Sequence, residues 1–140
     1  MQPSASPHCL RPYRYYLVFI LIACCGACLW QLFLPQIGSS FSVWGSAPGW
    51  QREIALWNAA LISAILAALR KKCLSAMRLL VLQSAILCWA LGANHLFALY
   101  SHRTMLSLHF LGVLEVMLLG GVWGALLLVK YRPEKHGRTP

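Results

Sequence analysis

The chain has 140 residues, of which 59% are apolar and only 11% charged, with a mean hydropathy of +0.64. That length leaves no room for a second sizeable domain, and a soluble domain ordinarily carries about 25% charged residues. The formal net charge of +9 does not point to nucleic acid, because the basic residues sit in short segments beside apolar runs, where anionic lipid headgroups are the nearer partner.

Four apolar runs follow in chain order, with approximate bounds 15–34, 51–69, 79–100 and 105–129. A helix crosses a bilayer with roughly 20 mainly apolar residues. Lipid leaves open strand edges unsatisfied, so helices are the expected spanning elements. A barrel of at least eight alternating strands of about ten residues fits neither the pattern nor the length. The expected fold class is an all-α membrane protein, a four-helix antiparallel transmembrane bundle in one membrane domain over residues 1–140.

The first run follows Arg11 and Arg14. The stretch Leu21-Ile22-Ala23-Cys24 resembles a lipoprotein cleavage site, but apolar residues continue through Leu29, Trp30, Leu32, Phe33 and Leu34. An uncleaved first span is therefore expected. Cys24, Cys25 and Cys28 stand among Ala23, Gly26 and Ala27 and read as small packing residues. The six cysteines do not form the framework of a disulfide-rich secreted domain.

The longest connection runs over Pro35–Trp50. Gly, Ser and Pro mark it as a loop, yet Phe41, Val43, Trp44 and Trp50 are apolar. A segment lying in the membrane interface over the bundle is expected, because Trp and Tyr favour headgroup depth. The second run is short, and Trp50 and Gln51 extend it toward that interface. Its alanines Ala60, Ala64, Ala67 and Ala68, like Gly26 in span one, suggest close helix packing. Gly112, Gly120, Gly121 and Gly124 suggest the same in span four, and the step from Gly120 to Gly124 suits either an internal neighbour or a partner helix.

Charge sets the expected sidedness. Arg11, Arg14, Arg70, Lys71, Lys72, Arg78, Lys130, Arg132, Lys135 and Arg138 share one side of a four-span layout, and only Arg52 and Arg103 fall on the other. Loops this short obey the positive-inside rule well. Both termini are expected in the cytoplasm, in a bacterial inner membrane.

Polar residues inside the spans are the only route to function. Glu53 starts span two, and Asn58 lies about 7.5 Å deeper at 1.5 Å per residue. Asn94 and His95 come near the outer end of span three, and His109 lies one turn into span four. Asn58, Asn94, His95 and His109 form an outer-leaflet layer, with Glu115 below them near mid-membrane, where an acid is costly and marks a functional site by default. These five residues are the candidate ligand-binding or structural polar network, with Glu53, Trp44 and Trp50 as its outer rim. His109 and Glu115 are six positions apart, which rotates them about 120° around an α-helix and argues against direct pairing.

No phosphate loop, His-Glu-x-x-His run or nucleophile elbow is present in the sequence. No catalytic residue, metal ligand or cofactor is expected. The expected function is that of an accessory subunit or a module binding a small, lipid-like molecule from the outer leaflet, with membrane lipids, a homo-oligomer or a larger membrane complex as partners. The alternatives are an oligomeric transporter or channel component using Glu115, and a membrane oxidoreductase binding haem or quinone near His95 and His109. All of these readings place the chain outside nucleic-acid binding.

Overall fold

The computed structural model describes residues 7–102 and 108–131. Arg103, Met105, Arg132, Glu134, Lys135 and Arg138, which contribute to the charge and span readings above, lie outside the described residues.

The protein is an all-α, multi-pass membrane fold. It has four long apolar helices of membrane-spanning length, at Leu10–Phe33, Pro48–Lys71, Leu74–His102 and Leu108–Lys130. No sheet occurs among the described residues. Helix α1 covers Pro7–Phe33, α2 Pro35–Ser40, α3 Pro48–Lys71 and α4 Leu74–His102. The fourth span joins α5 (Leu108–Gly112), a π-helical stretch Val113–Val122 and α6 (Trp123–Lys130).

Helix α3 begins at Pro48, three residues earlier than its apolar run. Proline suits a first helical turn because its missing N–H would have no helical partner there. At its far end α3 stops at Lys72, which takes a left-handed conformation with φ of 50°. Glycine usually fills that position because it has no Cβ to clash. The resulting turn to α4 is only two residues long and holds the two helices antiparallel.

The apolar core sits at the basic end of the bundle, the end carrying Arg14, Arg70 and Lys130. Tyr13, Tyr16, Leu17, Ile65, Met77 and Val81 are almost fully enclosed there. The Tyr16 hydroxyl donates to the Gly120 carbonyl at 2.8 Å in a buried contact. Its ring meets Trp123 edge-on with centroids 5.3 Å apart. Gly124 makes this approach feasible, since a Cβ there would lie 2.7 Å from the Tyr16 hydroxyl and 2.9 Å from Ala85.

The small residues of span four thus accommodate neighbours within the chain, from α1 and α4. Two expectations about small residues are corrected. Gly26 faces open space, and Ala60, Ala64 and Ala67 are exposed while Ala68 alone of that set is buried.

The π-helical stretch was not anticipated. Its wider turns are rare and are frequent at functional sites, and here ten residues adopt it. Glu115 lies within it. The Gly120 carbonyl, near its end, accepts both the Trp123 N–H and the Tyr16 hydroxyl, so the irregular backbone keeps its polar atoms bonded where lipid offers no substitute.

Candidate functional site

Away from the core, the helices diverge around a cavity of about 570 Å³. Most of its wall is apolar, contributed by residues such as Ile20, Ala23, Leu87 and Leu91. Polar atoms enter at a few places. Gln31 from α1 and Asn58 from α3 meet across the wall, with the Asn58 amide donating to Gln31 Oε1 at 3.4 Å. His95 and Ser84 come from α4, and Glu115 from the π-helical stretch.

Ser84 is only 1% exposed, and its hydroxyl has no hydrogen-bond partner among the described residues. A buried hydroxyl without a partner is costly and needs a reason. Glu115 is exposed along the cavity side of span four. The wider turn of the π-helical stretch sets its direction, which the α-helical angle of about 120° from His109 does not describe.

Beside the end of the cavity that His95, Leu108 and Gly112 line lies a compact polar knot. His95 Nδ1 lies 3.0 Å from His109 Nδ1. His109 is fully buried, and its Nε2 accepts the backbone N–H of Val43 at 3.0 Å. The Ser42 hydroxyl approaches the same nitrogen at 3.5 Å and itself accepts the Trp44 N–H at 3.1 Å. The Trp44 ring covers both imidazoles, with centroids 4.4 Å from His109 and 5.0 Å from His95. The Leu108 N–H donates to the Phe41 carbonyl at 3.2 Å and ties the same loop to the start of α5. Gly112 permits the knot, since a Cβ there would lie 2.7 Å from the His95 ring.

The network fixes the tautomers. A backbone N–H only donates, so His109 Nε2 must carry a lone pair. The neutral His109 ring then holds its proton on Nδ1 and donates it to His95 Nδ1, which leaves the His95 proton on Nε2.

The expected polar layer therefore divides. His95 and His109 are in contact, and Asn58 joins Gln31 on the cavity wall. Asn94 is exposed and off that wall. Glu53 is exposed, and Trp50 projects outward at 74% exposure. Trp44 packs against both histidines, edge-on to His109 and tilted over His95, while staying 52% exposed. Gln31, Ser42, the Val43 amide and Ser84 were missed by the sequence reading. Gln31 carried a usable signal, being a polar residue inside an apolar run.

Two trans haem ligands bonded at about 2.0–2.1 Å, the usual metal–imidazole distance, stand roughly 4 Å apart. The two Nδ1 atoms lie 3.0 Å from each other and His109 Nε2 faces Val43, so this arrangement does not match an axial pair. Among the described residues, no three His, Cys, Asp or Glu side chains converge as a metal-binding group. The described cysteines Cys24, Cys25, Cys28, Cys73 and Cys88 are free thiols.

Comparison with known protein families, with characterised proteins and with solved structures gives no match for this chain.

Proposed function

We propose that the protein is a non-enzymatic membrane module that holds a small, lipid-like amphiphile between its helices. The cavity is the observation that carries this reading. Its volume of about 570 Å³ falls within the usual range for ligand pockets, about 300–1,000 Å³. Its wall combines a long apolar surface with a few separated polar atoms, the arrangement that orients an amphiphile. Ser84, buried with no partner among the described residues, supplies a hydrogen-bonding group at the deep end. Gln31, Asn58 and His95 supply others toward the opposite end.

The charge pattern supports a cytoplasmic basic end with both termini on that side. In a bacterial inner membrane the cavity then opens in the outer leaflet. Membrane lipids are the immediate source of such an amphiphile, and nucleic acid is not a partner in this reading.

A second reading draws on Glu115. Its carboxyl group has no hydrogen-bond partner among the described residues and is exposed. Copies of the chain that bring several Glu115 side chains together would form a transporter or channel component.

Native mass spectrometry of protein released from lipid nanodiscs tests both readings. A monomer retaining one amphiphile, with retention lost in Ser84→Leu, is the expected result. A discrete oligomer whose Glu115→Gln variant dissociates supports the second reading. A monomer carrying no amphiphile contradicts both.

A further inference from the structure

The loop that crosses the histidine pair is fastened by a backbone donor, the Val43 N–H, that only a neutral His109 can accept. His109 Nε2 receives the Val43 N–H and faces the Ser42 hydroxyl. That hydroxyl can accept the Trp44 N–H while its own proton points to Nε2. A proton added to Nε2 would turn the shared acceptor into a third donor. A proton added to His95 Nδ1 would oppose the proton on His109 Nδ1 across 3.0 Å. The Ser42 hydroxyl can turn to accept from a protonated Nε2, but the Val43 N–H only donates and loses its acceptor, and the fully enclosed His109 ring has no free path to turn away.

The same loop bears on the cavity. His95, Leu108 and Gly112 line the cavity. The Phe41 carbonyl holds the Leu108 N–H, and Trp44 lies over His95. Releasing residues 41–44 breaks their contacts with His95 and Leu108, two residues of that wall.

We infer that His95, His109 and the Phe41–Trp44 segment form a proton-released latch that closes one end of the amphiphile cavity. The inference rests on the cavity reading for its role as a gate. It regulates access; it adds no chemistry to the ligand.

The groups facing the pair do not supply a compensating charge from within the loop. Residues 41–47 contain no titratable side chain. From α4, His102 lies within electrostatic reach of His109. Span four contributes Glu115 on the cavity wall, and α1 and α3 contribute the uncharged Gln31 and Asn58. Arg52 and Glu53 are exposed on α3. Lowering the pH until the pair takes up a proton therefore opens the latch. The closed form is favoured above that pH and lost below it.

Hydrogen exchange of the full chain in zwitterionic nanodiscs tests this at about pH 7.5 and about pH 5, either side of the imidazole range. Protection factors correct for the intrinsic pH dependence of exchange. The Val43 amide is expected to lose at least about tenfold protection at the lower pH, the size of one lost hydrogen bond of roughly 1.4 kcal/mol. Amides around Val81 in the core are expected to keep theirs. In His109→Gln, whose carbonyl oxygen replaces the Nε2 acceptor without titrating, the pH step should vanish. Equal wild-type protection at both values overturns the inference, and so does a full step that survives in His109→Gln.

Uptake of a spin-labelled fatty alcohol reads the gate separately, and faster uptake at low pH is expected. Unchanged uptake with no loop step removes the latch and leaves the cavity reading intact. A loop step with no uptake at either pH removes the cavity reading, and the gating role with it.

Discussion

The Tyr16 hydroxyl and the Gly120 carbonyl meet at 2.8 Å across the bundle, in a buried bond between helices far apart in sequence. Gly120 already accepts the Trp123 N–H at the end of the π-helical stretch. Tyr16 therefore adds a second donor to an irregular backbone. Tyr16→Phe should destabilise the bundle by about 1 kcal/mol, the net worth of one hydrogen bond. Gly124→Ala should cost about 1–3 kcal/mol through overpacking, because its Cβ would meet the Tyr16 hydroxyl at 2.7 Å. The double variant should lose less than the sum, since Phe lacks the obstructing oxygen and contacting residues couple. Thermal unfolding in detergent, monitored by helical circular dichroism, reads all three.

Lys72 offers a substitution in the other direction. It holds a left-handed φ of 50° at the end of α3, where a side chain carries a penalty of about 1 kcal/mol that glycine avoids. Lys72→Gly should raise the unfolding temperature. An unchanged or lower value would show that the lysine charge near the helix C-terminus outweighs the strain.

Cys73 gives a test of sidedness and of pH response. It lies in the turn between α3 and α4, outside the spans. Its thiol is held below the usual thiol range by the Ser75 hydroxyl at 3.2 Å, then by the Ala76 amide, with Lys71 adding a favourable charge. The thiolate is the reactive form, so labelling by a membrane-impermeant maleimide should rise with pH and reach its midpoint below that of a free thiol. Ser75→Ala should move the midpoint upward. In a Cys9→Ser background, labelling should occur in inverted vesicles and fail in right-side-out ones. The reverse pattern would overturn the proposed cytoplasmic basic end.

Glu115 separates binding from structure. It is exposed in the cavity region, so Glu115→Gln should change stability by less than about 0.5 kcal/mol. A hydrogen bond to a ligand contributes about 0.5–1.5 kcal/mol, so if the Glu115 carboxyl group on the cavity wall holds the amphiphile, retention in native mass spectra should fall several-fold. Full retention would remove Glu115 from the binding site.

The four spans were legible because apolar runs of this length have few other destinations, and turns at Lys72 and Pro48 only refined their ends. His95 and His109 were legible as residues at similar depth on successive spans. Their shared partner was not. Val43 contributes a backbone N–H, which no side-chain pattern announces, and the contact of the half-exposed Trp44 with both rings is equally silent in the sequence. Asn94 and His95 are adjacent in sequence and so project about 100° apart on a helix; one faces span four and the other is exposed. Glycine spacing suggested close approach at Gly124 but gave no sign of the π-helical turns over Val113–Val122.

Photolabelling tests the cavity most directly. A single-chain amphiphile with a mid-chain diazirine, incorporated into nanodiscs, should mark peptides that wall the cavity, from Ala23 to Gln31, from Ser84 to His95 and from Leu108 to Val116. Ser84→Leu should suppress that labelling. Labelling spread evenly over lipid-facing positions such as Trp57, Leu79 and Phe97, and unaffected by Ser84→Leu, would contradict a bound amphiphile inside the bundle.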